Sequence, residues 1–64
     1  MQPFQQRVVD EKTELDSLIQ KLSSFVTSEL FTGIDGAEQF RLNLQLSYMK
    51  LYSDVLGERI ANFT

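Results

Sequence analysis

A chain of 64 residues bounds one small domain, and so short a chain buries a low share of its surface. It has no cysteine and no histidine, which excludes disulfide staples, thiolate metal sites and the commonest general base and metal ligand. Six basic against nine acidic residues give a net charge of −3, so broad electrostatic attraction to nucleic acid or an anionic membrane is not expected.

The first predicted element is a helix over about residues 3–29. Pro3 sits where a first helical turn tolerates it, and from Phe4 to Glu29 neither glycine nor proline occurs. Phe4, Val8, Glu11, Leu15, Leu18, Leu22 and Phe25 follow a 4-3-4-3-4-3 spacing, a heptad seam with one polar member. Val9, Ile19 and Val26 widen it. A glutamate in such a seam reads as a register-setting residue, with Arg7 one turn back or an arginine of a facing helix as its partner.

A turn over about residues 30–36 follows. Gly33 and Gly36 flank Ile34 and Asp35, and Asp35 followed three residues later by Glu38 fits a capping box that opens the next helix. Leu30, Phe31 and Ile34 are expected to fold under this turn. A long helix and a compact connection imply an antiparallel partner.

The second long helix is predicted over about residues 36–62, although Leu42, Leu44 and Leu46 alternate with polar residues as a strand would. A strand needs a partner, and the chain offers none. At about 100° per residue, Leu42, Leu46, Met49, Leu56, Ile60 and Phe63 form one stripe, with Ser53 as its polar gap. Phe40, Leu44, Tyr48, Leu51 and Val55 form a second, roughly 150° away. The alternation is the overlap of two stripes out of phase. The fold class expected is all-α, an antiparallel two-helix hairpin.

One helix covers only one stripe of the other. A second stripe of five large apolar residues left in water marks an interface. Self-association into a homodimer or higher oligomer, most simply a four-helix bundle, is the expected outcome, with Phe40, Leu44, Tyr48, Leu51 and Val55 at the interface. Docking on another protein is the competing reading.

Between the stripes lies a mixed row: Arg41, Gln45, Tyr48, Tyr52 and Arg59. Arginine binds phosphate bidentately and stacks on flat rings, and tyrosine supplies a ring face and a hydroxyl. Doubled across a two-fold axis, the row suits a small anionic or nucleotide-like ligand, with Lys12 and Lys21 as possible additions. The bland reading is that the arginines lie along the bundle edge and pair with acidic residues. Catalytic residues, metal ligands and cofactors are not expected. Carboxylate-bridged metal pairs need a Glu-x-x-His pattern, "TGIDG" lacks the ending of a phosphate-binding loop, and a leucine-rich second helix does not read DNA. No membrane partner is expected either, because no apolar run has the length of a span and no secretion signal opens the chain. Cytoplasmic residence follows, and the glycosylation-like triplet Asn62-Phe63-Thr64 carries no weight there.

"RVVDEKTELDSLIQKLSSFV" resembles the first helix of a family of very small helical-hairpin proteins of tailed bacteriophages, mostly of unknown function. The matching positions are Arg7, Val8, Glu11, Lys12, Glu14, Leu15, Lys21, Leu22 and Phe25. "EQFRLNLQLSYMKLYSDVLGERI" resembles its second helix through Glu38, Gln39, Gln45, Leu46, Met49, Tyr52, Leu56, Arg59 and Ile60. The resemblance implies a phage protein acting inside the bacterial cell. More distantly, the hairpin is similar to phage anti-defence sponges, which sequester cyclic nucleotide signals of host immunity and assemble as oligomers with polar and arginine side chains between subunits. The implied function is that of a non-enzymatic accessory protein. It acts by binding, as counter-defence, either inhibiting a host immune factor or sequestering a cyclic nucleotide signal. A structural or regulatory self-assembling protein without a small ligand is the alternative.

Overall fold

A computed structural model describes residues 1–63; Thr64, and with it the end of the glycosylation-like triplet, lies outside the described residues. Among these residues the chain is all-helical and carries no strand: α1 (Pro3–Val26), α2 (Glu29–Thr32) and α3 (Gly36–Ala61). α1 and α3 run antiparallel. Phe4 meets Phe63 edge to face with ring centroids 6.2 Å apart, Lys12 reaches Ser53, and Phe25 meets Phe31 of the connection at 6.1 Å. The molecule measures 47 × 14 × 13 Å, a rod one helix pair thick.

So thin a rod encloses little. Val8, Leu15, Leu46 and Leu56 are its buried apolar residues, and Leu56 is the most enclosed at 1% exposure. Ile19, Met49, Ile60 and Phe63 pack around Val8, Leu15 and Leu56. Toward α1, α3 turns Leu42, Leu46, Met49, Ser53, Leu56 and Ile60, buried or half-buried in the expected phase.

The seam of α1 is shifted from its sequence reading. Buried or half-buried positions run Val8, Lys12, Leu15, Ile19, Leu22 and Val26. The heptad spacing is the same, but Lys12 replaces Glu11 and Ile19 replaces Leu18, while at the C-terminal end Val26 joins Phe25 and both are half-buried. Glu11 is exposed and Leu18 is 53% exposed. Both seams share Val8, Leu15 and Leu22, so α1 alone does not choose between them; the facing helix does. At Gly57 a Cβ would lie 3.5 Å from Lys12 Cε, so the lysine stem crosses α3 where α3 is thinnest. Among the described residues the ion pairs are Lys12–Asp16 and Arg41–Glu38, and the expected Arg7–Glu11 pair is not among them.

α1 stops at Val26, short of the expected 29, and the single helical turn α2 straddles the boundary between the expected helix and the expected turn. Hydroxyls compete for the last carbonyls of α1. Thr27 Oγ1 donates to the carbonyls of Ser23 and Ser24, and Ser28 Oγ donates to that of Phe25 at 2.6 Å. Leu30 is exposed rather than tucked under the connection, whereas Phe31 and Ile34 are half-buried.

Asp35 caps α3, accepting from the Ala37 N–H at 3.1 Å. Glu38 does not close the capping box; its carboxylate turns forward to Arg41. Gln39, marked in the sequence only by the family resemblance, ties the connection down instead. Its Nε2 donates to the carbonyls of Phe31 (2.8 Å) and Ile34 (2.9 Å). Gln39→Ala takes the side-chain donor from the Ile34 carbonyl, while the Phe31 carbonyl keeps the Ile34 N–H at 3.1 Å; it is expected to cost about 1–3 kcal/mol, read as a shift in the urea midpoint at unchanged slope.

Candidate functional site

The α3 face turned away from α1 is apolar and wet. Phe40, Leu44, Tyr48, Leu51 and Val55 are all exposed, Phe40 at 67% and Leu51 at 60%. Beside this stripe runs an open groove of about 530 Å³ lined by Arg41, Leu44, Gln45, Tyr48, Met49 and Tyr52. α3 alone builds it, because residues three and four apart stack on one helix face.

Four residues of the mixed row, Arg41, Gln45, Tyr48 and Tyr52, line the groove together. Arg59 shares their angular sector but not the groove; it lies seven residues beyond Tyr52, about 10 Å along the axis. A helical wheel collapses that axial distance, which is why the sequence grouped all five. Arg41 Nε donates to Glu38 Oε1 at 2.8 Å, so the one cation at the groove is already paired. Gln45 Nε2 lies 3.8 Å from Met49 Sδ, a weak contact within the floor. Such a groove fits a flat ring or an apolar side chain with a single negative charge at one end. It has too few donors in one chain for several phosphates.

Lys12 is not an addition to this row. It lies in the helix interface, where its Nζ donates to Ser53 Oγ at 2.7 Å and to Asp16 Oδ2 at 3.1 Å. Ser53 Oγ in turn donates to Asp16 Oδ1 in a short contact. Ser53 is buried, and the lysine and aspartate keep partial access to water. Lys21 stays on the exposed surface. The Ser53 hydrogen bond, followed by Lys12, holds the Asp16 carboxyl below its ordinary value of 3.8. A carboxyl lowered in the folded state contributes stability above that ordinary value and loses it as pH falls through the folded value. Urea melts of the parent and of Asp16→Asn are therefore expected to differ by a constant amount from neutral pH down to about 4 and to converge in stronger acid.

Among the described residues no group of His, Cys, Asp and Glu gathers as a metal site, and no helix is long and apolar enough to cross a membrane.

Residues 2–62 match the family model of Sequestin. The chain belongs to the Sequestin family. It is 38% identical over 63 residues to the uncharacterized 7.5 kDa protein in the denB-rIIB intergenic region of Enterobacteria phage T4, covering 98% of each chain. No solved structure matches. The resemblance to very small phage proteins thus holds over nearly the whole length. Within this Sequestin family chain, the matched span takes in both long helices, the groove and the exposed stripe.

Proposed function

We propose that this protein is a non-enzymatic phage accessory protein. It self-associates through the exposed stripe of α3 and acts by binding, in counter-defence in the cytoplasm of the host bacterium. The observation that carries the reading is the continuity of the wet apolar stripe with the Arg41–Tyr52 groove on one helix. Leu44 and Tyr48 belong to both, so covering the stripe also roofs the groove. A flat ring then lies between tyrosines with its negative charge near Arg41, and a two-fold axis repeats that arrangement. This chemistry supports a cyclic nucleotide signal of host immunity as the ligand, and the family's name, Sequestin, accords with holding a molecule out of reach.

The apolar lining and the paired state of Arg41 favour a second reading: a structural or regulatory self-assembling protein with no small ligand. Thermal denaturation with a panel of cyclic di- and trinucleotides separates the two. A ligand bound to the folded state raises the melting temperature, by about 2.7 kcal/mol of stability at a hundredfold excess over Kd. The expected result is a concentration-dependent rise with at least one cyclic nucleotide, lost in Tyr52→Ala. Identical melting curves across the panel would leave the second reading standing.

A further inference from the structure

The spacing of the exposed stripe is nearly palindromic, and this decides how a second copy lies on it. Phe40, Leu44, Tyr48, Leu51 and Val55 are separated by 4, 4, 3 and 4 residues. Read backwards, Val55 falls on Phe40 and Leu51 on Leu44. A two-fold axis between Ser47 and Tyr48 therefore lays stripe upon stripe with two antiparallel copies of α3. A parallel pairing in register sets each residue beside itself and aligns both helix dipoles, which antiparallel packing opposes favourably.

The same axis acts on the charges. Antiparallel helices in contact share their flanks, so the Arg41 side of one copy borders the Arg41 side of the other. Arg59 lies beyond the groove of its own chain. Across the axis it falls opposite Gly36 of the other copy, two residues or about 3 Å along the axis from Glu38. Glu38 already holds Arg41 at 2.8 Å and is half-buried. Tyr52, likewise, falls about 3 Å along the axis from the point opposite Arg41.

We infer that the occupant of the exposed α3 stripe is a second copy of this chain, antiparallel about an axis between Ser47 and Tyr48, and that the site is incomplete without it: the partner's Arg59 joins the Glu38–Arg41 pair and the partner's Tyr52 closes over Arg41. Glu38 then stands between two arginines, and each cluster keeps one net positive charge beside tyrosine rings, which is the charge a single phosphate or phosphodiester group complements. This pairing rests on the self-association proposed above. It also gives Arg59, separate from the groove within one chain, a place at the groove of the other.

The absence of cysteine makes the pairing directly testable. Phe40→Cys and Val55→Cys are prepared as separate proteins, mixed, and oxidised. A disulfide needs Cα atoms within about 7 Å. In the proposed register residues 40 and 55 of different copies meet, whereas 40 with 40 or 55 with 55 are about 22 Å apart along the axis. The expected result is a disulfide dimer in the mixture and essentially none in either variant alone. Disulfide dimers of a single variant, or a dimer by sedimentation that does not cross-link in the mixture, would overturn the antiparallel register while leaving self-association intact. A parent protein that sediments as one chain would overturn the self-association reading itself. Charge reversal gives a second readout. Arg59→Glu is expected to weaken association about tenfold, two symmetric pairs changing together, and Glu38→Lys added to it to restore most of the loss. No rescue by the double variant would place Arg59 away from Glu38.

Discussion

Leu56→Ala is expected to leave the chain largely unfolded at room temperature. Leu56 is 1% exposed, the most enclosed side chain, and it joins Val8 and Leu15 in the small core between the helices. Removing a buried leucine down to alanine costs about 2–5 kcal/mol, the transfer of the lost atoms plus the cavity they leave. A single core in a chain of this size seldom supplies more than about 3–5 kcal/mol. The substitution therefore removes most of the margin. Helical circular dichroism against temperature reads the effect, with Leu30→Ala, at an exposed position, as the control expected to melt like the parent.

Leu51→Glu is expected to be as damaging, for a reason that one chain by itself does not contain. Leu51 is 60% exposed, so in a lone hairpin a glutamate there is nearly neutral. Under a second copy the same substitution removes about 1.5–3 kcal/mol of apolar burial from each chain and sets an unpaired charge in the interface. Dissociation is the expected outcome, with a fall in melting temperature that depends on protein concentration in the parent and not in the variant. Parent and variant with equal melting temperatures and equal mass would remove the interface from this face.

The main helices were legible because their cues reinforce one another: Pro3 at the start of α1, an uninterrupted heptad, and Asp35 before α3. The inward stripe of α3 was legible down to its polar gap at Ser53, since stripe and gap repeat along a single helix. The phase of α1 was not. Glu11 and Lys12 are adjacent polar residues, and each completes a heptad through Val8, Leu15 and Leu22. Only the facing Ser53 and Gly57, far away in sequence, favour Lys12. The one-turn α2 and the role of Gln39 escaped for a related reason: hydroxyl and amide groups satisfying particular carbonyls leave no periodic trace. At the candidate site the angular grouping of Arg41, Gln45, Tyr48 and Tyr52 survives in three dimensions. Arg59 shares their angle but not their axial position, a distance that a helical wheel discards.

The polar layer of Lys12, Asp16 and Ser53 also bears on why the helices hold one alignment. Leucines and isoleucines along both helices tolerate a shift of one heptad, since apolar contacts are not directional. A lysine hydrogen-bonded to a buried serine across the interface is directional, and a shifted pairing leaves that hydroxyl without its partners.

Self-association is the claim on which the binding reading and the pairing of α3 both stand, and the mass in solution tests it most directly. Light scattering coupled to size exclusion is expected to return at least twice the 7.4 kDa of one chain at micromolar concentration, falling toward that mass for Leu51→Glu. A parent protein that elutes folded, at 7.4 kDa, with Phe40 and Leu51 in water would contradict it.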